Sequence, residues 1–169
     1  PLYERALAIR EESQGPKHPY TALSLSNLAG YLDQTGDPDD FIAARPLYER
    51  ALAIREESQG PKHPYTALSL SNLAGYLDQT GDPDDFIAAR PLYERALAIR
   101  EESQGPKHPD TALSLSNLAG YLDKTGDPDD FAAARPLYER ALAIREESLG
   151  PNHPETATSL NNLAVYLEK

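Results

Sequence analysis

The feature that most constrains this chain is a 45-residue repeat. Residues 1–45 return unchanged at 46–90 and nearly unchanged at 91–135, and a truncated fourth copy occupies 136–169. A fixed period of this length is typical of repeat arrays in which each unit packs against its neighbours. A unit of 45 residues is near the size at which an isolated core becomes marginal, so stability should come from stacking. The sequence therefore predicts one folding array over residues 1–169.

Each copy predicts a short helix followed by a longer helix. In the second copy the short helix is expected within residues 63–81, because Pro64 suits a first helical position and Gly81 suits a stop. An apolar stripe centred on Leu70 is its predicted core face, completed by Ala67, Leu73, Ala74 and Leu77. The opposite stripe is mixed and should face solvent or a ligand: Leu68, Asn72, Gly75 and Gln79.

The longer helix of the second copy is predicted over residues 82–103, with Asp82 as its cap and Pro83 at its first position. Its predicted apolar face consists of Phe86, Ala89, Leu92, Tyr93, Ala96 and Ile99. Pro91 lies inside this run and removes the hydrogen bond to the Ile87 carbonyl. We therefore expect a kink at Pro91, or a loose first turn with regular helix starting near Phe86. The same pattern predicts a partial long helix at 1–13 and a final short helix at 154–168.

The recurring residues resemble the tetratricopeptide repeat (TPR) in its longer, kinesin-light-chain-like form. The short helix has Leu25, Leu28, Ala29 and Leu32 in the family's order, and the long helix after Gly36 has Ala44, Tyr48 and Ala51. The phrase ALAIREES, a linker with Gly, Pro and His-Pro, and then SLSNLA or SLNNLA also resemble that subfamily. Two features depart from the family pattern: the TGDPDDF turn is longer than usual, and Leu25 and its copies stand where Trp is common.

The resemblance implies an all-α fold, a right-handed superhelical solenoid of antiparallel helix pairs with short helices on the inner wall. It also implies a non-catalytic protein- or peptide-binding scaffold. Other members of the family contact peptide through an asparagine at the position of Asn72. We call the matching surface the asparagine face; it comprises Asn27, Asn72, Asn117 and Asn162, with Leu23, Leu68, Leu113, Gln34, Gln79 and Lys124.

The amides of the asparagine face allow two interpretations. Each offers a donor and an acceptor to an extended peptide backbone. Alternatively, they tie adjacent helices together, since buried amides usually serve structure. Asp33, Asp78 and Asp123 are expected to flank this face with negative charge. The basic clamp with which some family members hold a terminal carboxylate is missing, so capture of a carboxylate end is not expected.

Composition excludes several classes of function. The net charge of -11 is spread evenly, at -3 for each full copy and -2 for the last, which argues against nucleic acid and favours basic peptides or proteins. The chain has no Cys and no apolar run of the ~20 residues that span a bilayer, so no thiol chemistry and no membrane insertion are predicted. We expect no cofactor. The compartment is left open, with the cytoplasm as the expectation.

Two recurring clusters could suggest metal sites. Stacked repeats place equivalent atoms ~10 Å apart, too far for His18, His63, His108 and His153 to share one zinc ion. We expect these histidines to order the start of each short helix. The acids at Asp37, Asp39 and Asp40 lack the ligand spacing of a calcium loop, so capping is preferred for them as well. No glycine elbow frames a serine, and no catalytic triad is predicted.

One position changes its chemistry along the chain. Tyr20 and Tyr65 are replaced by Asp110 and Glu155 in the later copies. An acid is favoured near a helix start by the helix dipole. For the tyrosines, packing against the preceding linker is the preferred interpretation, with exposure as a binding anchor as the alternative.

Two other hypotheses compete with the binding scaffold. Identical consecutive copies are what design or recent duplication would leave, so the chain could be a structural or engineered array without a dedicated ligand. It could also be the sensor arm of a larger signalling ATPase. The apolar residues of the first helix, with Leu2, Tyr3 and Ile9, and those near Leu163 and Leu167 further predict head-to-tail self-association, a contact that does not close.

Overall fold

The computed structural model describes residues 2–169, and within that range every regular element is an α-helix. The helices are α1 Leu2–Gln14, α2 Pro19–Asp33, α3 Pro38–Ser58, α4 Pro64–Leu77, α5 Pro83–Ser103, α6 Pro109–Leu122, α7 Pro128–Leu149 and α8 Pro154–Leu167. The predicted alternation of short and long helices is confirmed. The chain divides into two compact units, residues 1–89 and 90–169, with the boundary inside α5.

Side chains just outside the helices cap their first turns. His18 Nδ1 accepts a hydrogen bond from the Tyr20 N–H at 3.2 Å, and the other three histidines of the series do the same. Asp37 Oδ1 accepts from the Asp39 N–H at 2.8 Å, and this contact recurs in the next two copies. The structure thus confirms the predicted capping roles of the histidines and of the first Asp in each turn.

The long helices are continuous across their internal prolines, Pro46, Pro91 and Pro136. Of the two alternatives expected from Pro91, the loose first turn is wrong, because regular helix begins at Pro83 rather than near Phe86, and the kink stays a prediction. The Asp cap and a proline at the first position stabilise that turn. Ile87, whose carbonyl loses its donor at Pro91, is 67% exposed and lies on the solvent side of the helix.

The core of the first unit lies between α2 and α3, with α1 packed on α2 and α4 packed on α3. Its central cluster contains Ala22, Leu25, Ala51 and Ile54, flanked by Leu7 and Leu47. Leu25 is fully buried at the position where the family often has Trp. Gly30 accommodates the Tyr48 hydroxyl, which lies 3.4 Å from where a Cβ would stand. The predicted core stripe of α4 is also confirmed, since Ala67, Leu70, Leu73, Ala74 and Leu77 are all buried.

The second unit repeats this core between α6 and α7. Its cluster is Ala112, Leu115, Ala141 and Ile144, flanked by Leu97 and Leu137. A phenylalanine in the first turn of a long helix makes an aromatic contact in both units. Phe131 stacks on Tyr166 with ring centroids 4.5 Å apart, and Phe41 stacks on Tyr76 at 4.7 Å. These phenylalanines therefore pack on the next short helix and join consecutive repeats.

Candidate functional site

The four asparagines of the asparagine face lie outside the apolar core. Asn27 is exposed, while Asn72, Asn117 and Asn162 are half-buried. Over residues 2–169, no side-chain amide of the four donates or accepts a hydrogen bond. The amides therefore do not tie adjacent helices together through hydrogen bonds, and their donors and acceptors are available to a ligand.

Each unit places two of these asparagines on neighbouring helices. In the first unit α2 contacts α4, which carry Asn27 and Asn72, and in the second unit α6 contacts α8, which carry Asn117 and Asn162. Leucines lie one turn before three of them: Leu23 is 41% exposed, Leu113 is 38% exposed and Leu68 is half-buried. Asn27 and Gln34 line a depression of about 290 Å³ together with Tyr3 and Tyr31.

Other predicted members of the asparagine face are less available. Gln79 lies just past the end of α4, and its Nε2 donates to the Gly75 carbonyl of that helix at 2.7 Å, so this amide is partly used as a C-terminal cap. Lys124 is exposed and takes part in an interaction of its own. Gln34 is exposed and makes no hydrogen bond through its side chain among the described residues. The asparagines and leucines are therefore the strongest members of the set.

The aspartates expected to flank this face with negative charge are placed differently. Asp33 is half-buried beside the Tyr48 hydroxyl, and burial raises the pKa of its carboxyl. Burial, together with the Asp33 carboxylate, raises the pKa of Tyr48 to about 12. In the second unit Asp123 pairs with Lys169. The predicted acidic border was thus wrong at Asp33 and Asp123, because these side chains turn toward protein neighbours.

A cavity of about 370 Å³ lies at the edge of the asparagine face in the first unit. It opens between α2 and α4, and its walls include Tyr20, Leu23, Arg55, Gln59, Tyr65 and Leu68. The sequence interpretation had assigned no function to Arg55 or Gln59. A signal was present, since Arg recurs at positions 10, 55, 100 and 145 while the residue ten positions later changes from Tyr to an acid.

Arg55 is a buried cation at the inner wall of this cavity. Only 3% of the residue is exposed, and its Cζ lies 5.0 Å from the centroid of the Tyr65 ring. Burial lowers the pKa of Arg55. Its guanidinium donates no hydrogen bond to any residue that the structure describes, and the buried Oε1 of Gln59 is also unpaired. A cation–π contact is the sole partner of this side chain within residues 2–169.

The two tyrosines behave partly as predicted. The Tyr20 ring stacks on His18 with centroids 5.5 Å apart, and the Tyr65 ring is tilted against His63 at 5.4 Å, so each does pack on the linker that precedes its helix. Tyr20 nevertheless remains 52% exposed and Tyr65 54% exposed. Packing on the preceding linker is thus confirmed, and use of the exposed rings as binding anchors stays a prediction.

Comparison with known sequences agrees with the repeated helix pairs. The family profile described as tetratricopeptide repeat matches residues 1–40, 39–85, 84–130 and 129–169. The chain belongs to the tetratricopeptide repeat family. No curated protein sequence matches the chain at a significant level.

Solved structures show the same TPR fold. The crystal structure of a variant of a Podosopora anserina protein, described as a kinesin light chain with nearly identical TPR-like repeats, has a TM-score of 0.76 at 26% identity, covering 99% of this chain and 74% of that one. BtubC (BKLC) from P. vanneervenii has a TM-score of 0.78 at 27% identity, covering 99% of this chain and 63% of that one. The predicted fold class, an all-α TPR-like solenoid, is confirmed by these similarities.

The described part of the TPR chain contains neither a cluster of metal-binding side chains nor a helix that could span a membrane. Across residues 2–169, no three His, Asp or Glu side chains come together in a way that could hold a metal ion. None of the helices in that range combines the length and apolar character needed to cross a bilayer. The asparagine face and the adjoining cavity are therefore the strongest candidate sites.

Proposed function

We propose that this TPR chain is a non-catalytic scaffold that binds a protein or peptide through the asparagine face. The observation that carries the proposal is that Asn27, Asn72, Asn117 and Asn162 lie off the core without hydrogen-bond partners in the described chain. Repeat scaffolds of this family are generally protein-interaction modules. Display of the same amide on the two neighbouring short helices of each unit supports recognition of an extended backbone.

The chemistry of the face suits such a ligand. An Asn amide can donate to a backbone carbonyl and accept from a backbone N–H, so it recognises the peptide unit rather than one side chain. The partly exposed Leu23 and Leu113 supply apolar contact one turn away. The charge of -11 favours a partner with a net positive charge, because long-range attraction accelerates encounter. We propose the cytoplasm as the compartment.

Selection from a displayed random-peptide library, followed by affinity measurement on the purified chain, tests this function. Removing two amides from one unit, with Asn27→Ala and Asn72→Ala together, should weaken binding of a selected peptide about tenfold, since each hydrogen bond contributes ~0.5–1.5 kcal/mol. Asn117→Ala with Asn162→Ala does the same for the second unit. Asn152→Ala is the matched control, because this exposed amide lies in a linker. Unchanged affinity in both double variants would rule out the asparagine face.

Exposed apolar side chains support a second proposal, head-to-tail self-association. Leu2 is 82% exposed and Ile9 is 54% exposed on α1, while Val165 and Leu167 on α8 are 58% and 57% exposed. Contact between α1 of one copy and α8 of another would remove this apolar surface from water. Sedimentation equilibrium should show a mass that rises with concentration, and Leu2→Lys with Ile9→Lys should abolish the rise. A constant monomer mass at high concentration excludes the contact.

A further inference from the structure

The cavity beside Arg55 holds two polar groups that the described chain leaves unpaired. Arg55 is only 3% exposed, and its guanidinium has a tyrosine ring but no acceptor as its neighbour. The Gln59 side chain, one helical turn later, makes no hydrogen bond to any described residue, so its Nε2 donors can serve an acceptor in the cavity. A buried guanidinium without an acceptor is costly, because it has lost water and gained only the ring. The site therefore favours an anion that can enter the cavity.

The later copies show which anion fits this arrangement. Arg100 stands at the position of Arg55, and its Nη1 donates to the Asp110 carbonyl at 2.6 Å. Gln104, which corresponds to Gln59, donates through Nε2 to the Asp110 carboxylate at 2.9 Å. In the last copy, Arg145 Nη2 lies 2.9 Å from the Glu155 carboxylate. In both copies a carboxylate comes from the residue ten positions after the arginine. It contacts the glutamine in the third copy and the arginine in the fourth copy.

In the first unit the corresponding residue is Tyr65, which brings no carboxylate. Its ring covers one side of the Arg55 guanidinium, while the half-exposed Tyr20 and Tyr65 leave the cavity open. We propose that this cavity binds a carboxylate of the partner. Arg55 pairs with this carboxylate as Arg145 pairs with that of Glu155. Gln59 donates to it through Nε2, as Gln104 donates to the carboxylate of Asp110. The proposal deepens the proposed function, because Leu23 and Leu68 of the asparagine face wall the same cavity; it does not use the asparagines.

Size and charge are compatible with this ligand. A space of about 370 Å³ has room for an Asp or Glu side chain or a chain terminus. The acidic surface of the chain repels anions at long range, but the screening length at physiological salt is about 8 Å, so distant acids weigh little inside the cavity. Hydrogen bonds between a guanidinium and a carboxylate are charge-assisted and can be bidentate. A partner with a net positive charge is attracted by the acidic surface of the chain, and one acidic residue in that partner can pair with Arg55 in the cavity.

The test uses the full chain and a blocked pentapeptide, acetyl-Gly-Gly-Asp-Gly-Gly-amide. The readout is the Arg55 Nε–Hε signal in ¹H–¹⁵N NMR, assigned by its absence from the Arg55→Lys variant. Titration at physiological salt should shift this signal saturably, with a Kd of about 1 mM, as expected for one charge-assisted contact. The same peptide with Asn in place of Asp should produce no saturable shift. Absence of a saturable shift with any carboxylate probe overturns the proposal.

Two further arms identify the source of the carboxylate. Acetyl-tetraglycine with a free C-terminus presents a terminal carboxylate, and acetate presents the group alone. Saturable binding of the aspartyl peptide alone identifies a side chain as the ligand, whereas binding of acetyl-tetraglycine alone identifies a chain end. Either result supports a carboxylate site.

Variants separate this site from a general charge effect. Tyr65→Asp supplies an internal carboxylate, as Asp110 does, and should weaken binding of the aspartyl peptide at least about tenfold. Ile42→Asp adds the same charge at a 67% exposed position of the same unit and should bind like the wild type. Equal binding by both variants contradicts the proposal. A saturable shift with the aspartyl peptide, together with unchanged selected-peptide affinity in the asparagine double variants, would overturn the asparagine face and support this site. Weakened affinity in those double variants, with no saturable shift at Arg55, would overturn this site and support the asparagine face.

Discussion

Arg55 in the first unit and Arg100 in the second occupy the same position in nearly identical repeats, yet their surroundings differ. Arg100 donates to the Asp110 carbonyl, and Gln104 donates to the Asp110 carboxylate. Arg55 lies against the Tyr65 ring, and neither it nor Gln59 has a side-chain hydrogen bond among the described residues. Both arginines are 3% exposed, so burial does not distinguish them. The two copies therefore differ in the partners of this arginine and of the glutamine that follows it: Asp110 supplies a backbone carbonyl to Arg100 and a carboxylate to Gln104, whereas Tyr65 supplies its ring to Arg55.

The comparison shows how a uniform repeat array can acquire a local site. The core residues and the caps are the same in both units, so most of the chain acts as an internal control. A change at one linker-proximal position leaves the fold intact and alters the chemistry of the adjoining surface. Specific binding by a repetitive chain can thus depend on a group that one copy lacks, such as the carboxylate absent at Tyr65, as well as on the core and caps that all copies share.

The largest expected effect comes from removing the arginine itself. Arg145→Met should cost roughly 2–3 kcal/mol, because it deletes charge-assisted contacts to Glu155 and leaves the buried Ser159 hydroxyl without its partner at 2.7 Å. Arg55→Met should cost less than about 1 kcal/mol, since only a cation–π contact is lost and an unpaired buried charge is removed. Urea denaturation followed by circular dichroism measures both. Equal costs would remove the distinction between the two environments.

Alkaline pH should affect the two units alike. Burial raises the pKa of Tyr48 and of Tyr138 to about 12, from an ordinary value of 10.0. Between those values the folded chain binds more protons than the unfolded chain, so stability is lost as pH rises from 10 toward 12. Each tyrosine should contribute about 2 kcal/mol to this loss.

Urea midpoints from pH 9 to 12 test the alkaline effect, with Tyr48→Phe and Tyr138→Phe as variants. Each should flatten the fall, and a slope that neither variant changes would contradict the assignment. Tyr3→Phe is the control, because Tyr3 is 45% exposed.

Exchanging the residues that distinguish the two arginines should have a smaller effect. Tyr65→Asp should stabilise the first unit by about 1 kcal/mol, because it gives Arg55 and Gln59 an acceptor at a half-exposed position. Asp110→Tyr should destabilise the second unit by a similar amount. Urea midpoints of the two single variants and the double variant form the measurement. Changes of the same sign in both single variants would show that the site does not control the difference.

The smallest effects are expected at surface ion pairs that both units share. Lys17 pairs with Glu57 and Lys107 pairs with Glu147, each at 2.8 Å, and the lysine side chains are 71% and 73% exposed. Such pairs contribute less than about 1 kcal/mol and weaken with salt. Lys17→Ala and Lys107→Ala should therefore shift the urea midpoint slightly and equally. A large or unequal shift would reveal a difference between the units beyond the arginine sites.

Much of the fold could be predicted from the sequence, because local signals and periodicity agree. The apolar stripe around Leu70 predicted the buried face of α4, and proline after histidine or aspartate predicted the helix starts. The loose turn expected before Phe86 was wrong. The Asp82 cap and Pro83 at the first position, both present in the sequence, outweigh the helix-breaking effect of Pro91, and Ile87, whose carbonyl loses its donor, lies on the solvent side. The prediction of a single array over residues 1–169 stays a prediction.

The candidate site was predictable only in part. A helical wheel places Asn72 away from the core, but it does not show whether an amide has a partner, which depends on neighbouring helices. Arg55 lies near the end of a long helix, where a charged residue suggests solvent, and its burial arises from the approach of the next short helix. Asp33 was misplaced for the same reason, since Tyr48 comes from the following helix. The burial and the partners of each of these residues depend on contacts between helices, which a sequence pattern does not show.

A crystal structure of the chain with a selected peptide that contains one acidic residue tests the central claim most directly. The predicted complex has the peptide backbone against Asn27 and Asn72, and a carboxylate oxygen within ~3.2 Å of the Arg55 guanidinium. The Tyr65→Asp variant, crystallised in the same way, should place its own carboxylate there. A peptide bound on the long helices, with the Arg55 cavity empty and Asn72 uncontacted, would contradict the account.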